Sequence, residues 1–143
     1  MAHASILQPV VVLLGWTLVM MFWMMATRLP AMRKSGIDLS KLRGTKASDA
    51  DLALPPAIQW KAHNYNHLME QPTLFYAVAL VLAMIGQGEG FNAILAWAYV
   101  GFRILHSIVQ AVWNKVSVRF LFFVLSSAAL VGLVLHAGIA LFH

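Results

Sequence analysis

Residues 2–27 contain no formally charged side chain. A helix needs ~20 apolar residues to cross the ~30 Å hydrocarbon core of a bilayer, so this stretch alone predicts a membrane span. It reads as a helix and not as a cleaved leader, because it has no basic start and no small-x-small cleavage site before the basic stretch that follows. Three further stretches of comparable length follow it, and the spans are expected at about residues 4–27, 56–85, 91–113 and 118–142. Composition agrees. Of the 143 residues, 61% are hydrophobic and 10% charged. A soluble domain carries ~25% charged residues, so too few are present to coat a water-facing surface. The same balance excludes disorder. Cysteine is absent, which removes disulfides, thiolate metal sites and cysteine nucleophiles from consideration.

The connections set the topology. Residues 28–54 are polar and basic, with Arg28, Arg33, Lys34, Lys41, Arg43 and Lys46 against Asp38, Asp49 and Asp51. Residues 86–90, Gly-Gln-Gly-Glu-Gly, and residues 114–117, Asn-Lys-Val-Ser, allow only tight antiparallel hairpins. Pro55 and Pro56 suit the start of the second span. Pro72, inside it, should kink it. Placing the long loop in the cytoplasm puts every Lys and Arg except Arg103 on that side or at its edge, as the positive-inside rule requires. The expectation is an all-α, four-helix transmembrane bundle forming one domain over residues 1–143. Both termini lie on the non-cytoplasmic side, with a long cytoplasmic loop between the first two helices. The net charge of +5 then reports topology, and no nucleic-acid partner is expected.

Function should lie in the polar residues that a bilayer penalises. On the second span His63, Asn66, His67 and Glu70 recur at helical spacing, with Lys61 and Asn64 further round. On the third, Tyr99, Arg103, His106, Ser107, Gln110 and Asn114 make a second stripe. Arg103 falls near mid-span, where an unpaired Arg costs ~3 kcal/mol even on the lenient insertion scale. Counted from Gly88, Glu70 lies about 18 residues back and Arg103 about 15 forward, a difference of ~4.5 Å in height. Glu70 is therefore the expected partner of Arg103. The two stripes read either as interhelical glue or as a polar cavity. A metal on His63, His67, Glu70 and His106 is chemically conceivable. It is disfavoured because His3, His136 and His143 lie elsewhere and the histidines serve equally as hydrogen-bond donors, so no metal is expected. Arg119, at the start of the fourth span, reads either as a snorkelling topogenic residue or as part of the cavity.

The stretch WKAHNYNHLMEQPTLFYA at 60–77, with FRILHSIVQAVWNKVSVRF at 102–120, resembles the MAPEG family, the membrane-associated proteins in eicosanoid and glutathione metabolism. Asn66, Glu70 and Pro72 are similar to the motif of its bacterial members. The resemblance implies a homotrimer in a bacterial inner (cytoplasmic) membrane. Glutathione would be the co-substrate, bound in a polar pocket between subunits, and the second substrate a hydrophobic molecule or lipid dissolved in the bilayer. By the motif match Asn66 and Glu70 would hold glutathione, Arg103 and His106 would line its site and Arg119 would stabilise its thiolate; Lys61, His63, His67 and Gln110, on the same polar stripes, complete the expected binding residues. Lys61 or His63 stands where catalytic members have Arg, Gln110 where they often have Tyr, and Phe120 where they have Ser. Two functions follow. One is a glutathione-dependent transferase or peroxidase; the alternative is a non-catalytic membrane protein that binds a lipid or a partner protein, its stripes serving as interhelical and intersubunit glue.

Overall fold

The computed structural model describes residues 4–34, 36 and 54–143. Residues 35 and 37–53, most of the expected long loop, lie outside the described residues. All regular structure among the described residues is helical. Helix α1 runs Leu7–Lys34. The second span is split into α2, Pro56–Leu68, and α3, Gln71–Met84. The third is α4, Phe91–Ile108, continued by a π-helical segment at Val109–Trp113. The fourth is α5, Val116–Phe142. The four spans have 28, 29, 23 and 27 residues. At ~1.5 Å per residue even the shortest covers ~35 Å, enough for the hydrocarbon core. The chain is an integral multi-pass membrane protein.

Three boundaries differ from the sequence expectation. Helix α1 continues to Lys34, through Pro30; the basic residues Arg33 and Lys34 occupy its last turn, where cations favour the helix dipole. The turn before α5 is tighter than expected, with only Asn114 and Lys115 between helical segments. The second span is broken outright at Met69 and Glu70, the latter at φ −94° and ψ −94°. Pro72 explains the position of the break. Its ring collides with the carbonyl four residues earlier and it donates no hydrogen bond there; that carbonyl belongs to Leu68, the last residue of α2.

Outward surfaces are apolar along the full length: Val11, Leu18 and Phe22 on α1, and Leu121, Val131 and Leu135 on α5, are all exposed. Inside, Ile6, Leu13, Phe75, Ala79, Leu82, Ala96, Tyr99 and Leu133 form the core, with the Phe75 and Tyr99 rings stacked at 4.5 Å. Both termini share an end with the 86–90 turn. Ile6 N donates to Gly88 O at 2.9 Å, and His136 near the end of α5 meets Asn92 at the start of α4. This is called the hairpin end below, and the opposite end the loop end. Gly88 is required there, because a Cβ would stand 2.8 Å from Ala4 Cβ and 2.9 Å from Ile6 Cγ2.

Candidate functional site

The break in the second span leaves carbonyls at the end of α2 without their helical partners, and groups so freed within a membrane must be satisfied by protein. Met69 N and Glu70 N fold back onto Asn66 O and His67 O. Arg103, fully buried on α4, meets the same helix end. Its Nη2 donates to His67 O at 3.3 Å and to His67 Nδ1 at 2.5 Å, and Nη1 reaches Gln71 Oε1 at 3.5 Å. A guanidinium at a helix C-terminus also lies at the negative end of the dipole.

Glu70 is therefore not the hydrogen-bonding partner of Arg103 in the single chain, contrary to the sequence expectation. The level was right, but the side chain facing Arg103 there is Gln71. The turn at Met69 and Glu70 changes the phase of the helix, turns Glu70 to the exposed surface and brings Gln71 inward. Gln71 then joins three helices: Oε1 accepts from Tyr99 Oη at 3.4 Å as well as from Arg103, and Nε2 donates to Ser127 Oγ on α5 at 2.9 Å. A second knot lies nearer the loop end, where Ser107 Oγ accepts from Asn64 Nδ2 at 2.5 Å and from Trp16 Nε1 at 2.8 Å.

Beyond Arg103, towards the loop end, a cleft of about 290 Å³ is lined by His67, His106, Gln110, Val116, Arg119, Phe120 and Phe123. Four of the nine expected site residues line it directly: His67, His106, Gln110 and Arg119. A fifth, Arg103, holds His67 from behind. Because Arg103 only donates, His67 Nδ1 is the acceptor, and the neutral ring carries its hydrogen on Nε2. The His67 and His106 rings lie 5.1 Å apart, both against Phe123. His106 Nδ1 and Gln110 Oε1 are buried and without a hydrogen-bond partner; groups of that kind are normally paired.

The remaining four expected residues stand apart. Lys61 turns towards α1, with Nζ on Ala57 O at 3.2 Å and 5.5 Å from the centre of the Trp23 ring. His63, Asn66 and Glu70 are exposed on the single chain. Among the described residues, no three His, Asp or Glu side chains are grouped so as to hold a metal ion.

Sequence periodicity did not identify two features of the site. Asn64 is buried although it was placed outside the polar face of the second span. The π-helical segment widens the last turn of the third span, closing with Asn114 N on Val109 O. Such segments occur often at functional sites. Asn114 ends it at φ 54° and ψ 32°, a left-handed conformation that Asn tolerates better than most residues. Its Oδ1 accepts from Arg119 Nη1 at 2.7 Å and so fixes that guanidinium beside the cleft. The available signal was the residue type, since Asn is among the residues that commonly end helices.

The chain matches the MAPEG family over residues 6–139. No curated protein and no solved structure matches it.

Proposed function

From the premise that this chain belongs to the MAPEG family, we propose that it is a glutathione-dependent transferase or peroxidase acting on a hydrophobic substrate dissolved in the membrane. The observation that carries the reading is the cleft in which Arg119 stands with His67, His106 and Gln110. Arg119 and the Nε2 hydrogen of His67 are two donors suited to an anionic sulfur, and a cation beside a thiol favours the thiolate, the nucleophilic form. Gln110 Oε1 supplies an acceptor for a peptide N–H group, and His106 Nδ1 a partner that donates or accepts according to its tautomer. Phe120 and Phe123 form the apolar wall from which a lipid-soluble electrophile would approach.

In the transferase reaction the thiolate forms a C–S bond with an electrophilic carbon. The electron pair of the broken bond leaves with the departing group, or takes up a proton if the substrate is an unsaturated acceptor. In the peroxidase reaction the sulfur attacks one peroxide oxygen, the O–O bond breaks and an alcohol departs. A second glutathione then converts the sulfenic acid to disulfide and water. At about 290 Å³ the cleft lies at the small end of ligand pockets. In a homotrimer in the cytoplasmic membrane, a neighbouring copy would complete it, and the exposed Asn66 and Glu70 would face that neighbour.

A second reading is a non-catalytic protein that binds a lipid or a partner. It is favoured by the Arg103–His67–Gln71–Ser127 network, in which much of the polar stripe is used in joining helices. Titration of the purified protein in nanodiscs with glutathione separates the two. On the enzymatic reading, bound glutathione shows a thiolate absorbance at neutral pH. Arg119→Leu shifts the thiolate titration to higher pH, cutting turnover at neutral pH with partial recovery in alkali. No thiolate signal at saturating glutathione would leave the non-catalytic reading in its place.

A further inference from the structure

At the hairpin end, far from the cleft, a hollow of about 440 Å³ opens between the 86–90 turn and the adjoining ends of α4 and α5. Two of its polar side chains, Glu89 and His136, present acceptors, beside the amide of Gln87. Asn92 Nδ2 donates to Gln87 O at 2.9 Å, which fixes the orientation of the Asn92 amide and leaves Oδ1 as the acceptor. The 2.5 Å contact of His136 Nδ1 with that oxygen is then a donation from the ring. In the neutral imidazole this places the single hydrogen on Nδ1 and leaves Nε2 as an acceptor for the hollow that His136 lines. Glu89 lines the same hollow. Its Oε1 accepts from Ser5 N at 2.8 Å and its Oε2 from Ser5 Oγ. Those two bonds, the hydroxyl first, hold the carboxyl below its ordinary range, and each oxygen keeps a further lone pair. Phe91, an exposed ring 5.6 Å from that of His136, supplies an aromatic face. No cation is among the residues lining the hollow.

We propose that this hollow binds the primary ammonium of an aminophospholipid headgroup. An ammonium has three N–H donors and no acceptor, the complement of a carboxylate, an imidazole nitrogen and a ring face. The level in the membrane fits a headgroup. Helix α5, with 27 residues, is ~40 Å long and overshoots a ~30 Å core by ~5 Å at each end. His136 lies ~9 Å inside its end, near the hydrocarbon boundary. The wall of the hollow continues from Ile139 towards the membrane centre into the exposed apolar surface of α5, at Leu135 and Val131, along which acyl chains would lie. That continuity selects a lipid over a free amine. The site is independent of the glutathione reading.

The test is native mass spectrometry of the full-length protein in detergent with phosphatidylethanolamine, phosphatidylcholine or phosphatidylglycerol of identical chains, or with free ethanolamine. Phosphatidylethanolamine should be retained about tenfold better than the other two lipids, as expected for one charge-assisted hydrogen-bonded contact. Glu89→Gln should abolish the preference, and His136→Gln should reduce it. Equal retention of phosphatidylcholine, which has no N–H, would overturn the proposal, as would an undiminished preference in Glu89→Gln. Binding of ethanolamine without the lipid preference would refute the lipid source. Glu89 is exposed, so its variant should fold and decide the matter even if His136→Gln does not.

Discussion

At the hairpin end the chain turns within residues 86–90 and the helices there are regular: Ala4, Ile6 and Ala83 approach so closely that Gly88 has no room for a Cβ, and the polar groups of Glu89, Asn92 and His136 are paired with near neighbours. At the loop end the second span is broken and the third ends in a widened π turn. Arg103, His67, Gln71, Asn64 and Ser107 lie at or beyond that break. At this end buried polar side chains and irregular backbone occur together. In lipid a helix satisfies its own backbone, and only where Pro72 opens it do free carbonyls call for donors from a neighbour. The cleft lies at the end where helices are imperfect, because imperfect helices create unmet hydrogen-bonding groups and leave room between spans.

Removing the guanidinium that holds the break should separate the two ends most sharply. Arg103→Met takes from His67 Nδ1 its donor and from His67 O and Gln71 Oε1 one donor each, and a buried group left unsatisfied costs ~1–3 kcal/mol. The variant should lose ~3 kcal/mol or more of stability in reversible denaturation in detergent, with hydrogen exchange rising first in α2. Unchanged protection of α2 would mean that the break stands without Arg103. A smaller effect belongs to the packed end. Gly88→Ala forces Ala4 and Ile6 aside and should cost ~1–2 kcal/mol, loosening residues 4–6 while leaving the cleft intact. An effect on glutathione binding would show the ends to be coupled.

Smaller still is Glu70→Gln in the monomer. With no hydrogen bond between Glu70 and Arg103, the single change should cost less than ~0.5 kcal/mol and add to Arg103→Met, whereas Gln71→Ala should couple to it. Strong coupling of Glu70 in the assembled protein alone would place that carboxylate at a subunit boundary. The least effect is that of acid on the hairpin end. The folded Glu89 carboxyl titrates below its ordinary range because of Ser5. Its contribution is therefore present above that range and lost as the pH falls through the lowered value. Exchange of the Ser5 and Ile6 amides should accelerate in acid before that of α4 does. Simultaneous acceleration would remove Glu89 as the cause.

Sequence alone determined the four spans, their hairpin order, a distortion at Pro72 (expected as a kink and found as a break) and an intramembrane Arg103 in need of partners. Each of these follows from local chemistry: apolar length, turn residues, a missing N–H and the cost of a charge in lipid. It also marked His67, His106, Gln110 and Arg119, because polar side chains in apolar helices stand out. The tertiary structure decided which polar groups meet. Periodicity assumes that 100° per residue continues through Pro72, but the two-residue turn resets the angle, so Gln71 rather than Glu70 faces Arg103. It likewise placed Asn64 inside on Ser107 and turned Lys61 to Trp23, because the choice between two sides of a polar helix depends on which neighbour packs there. The position of Arg119 relies on a left-handed Asn114 that closes a widened turn, and that geometry arises only once the third and fourth spans are packed together.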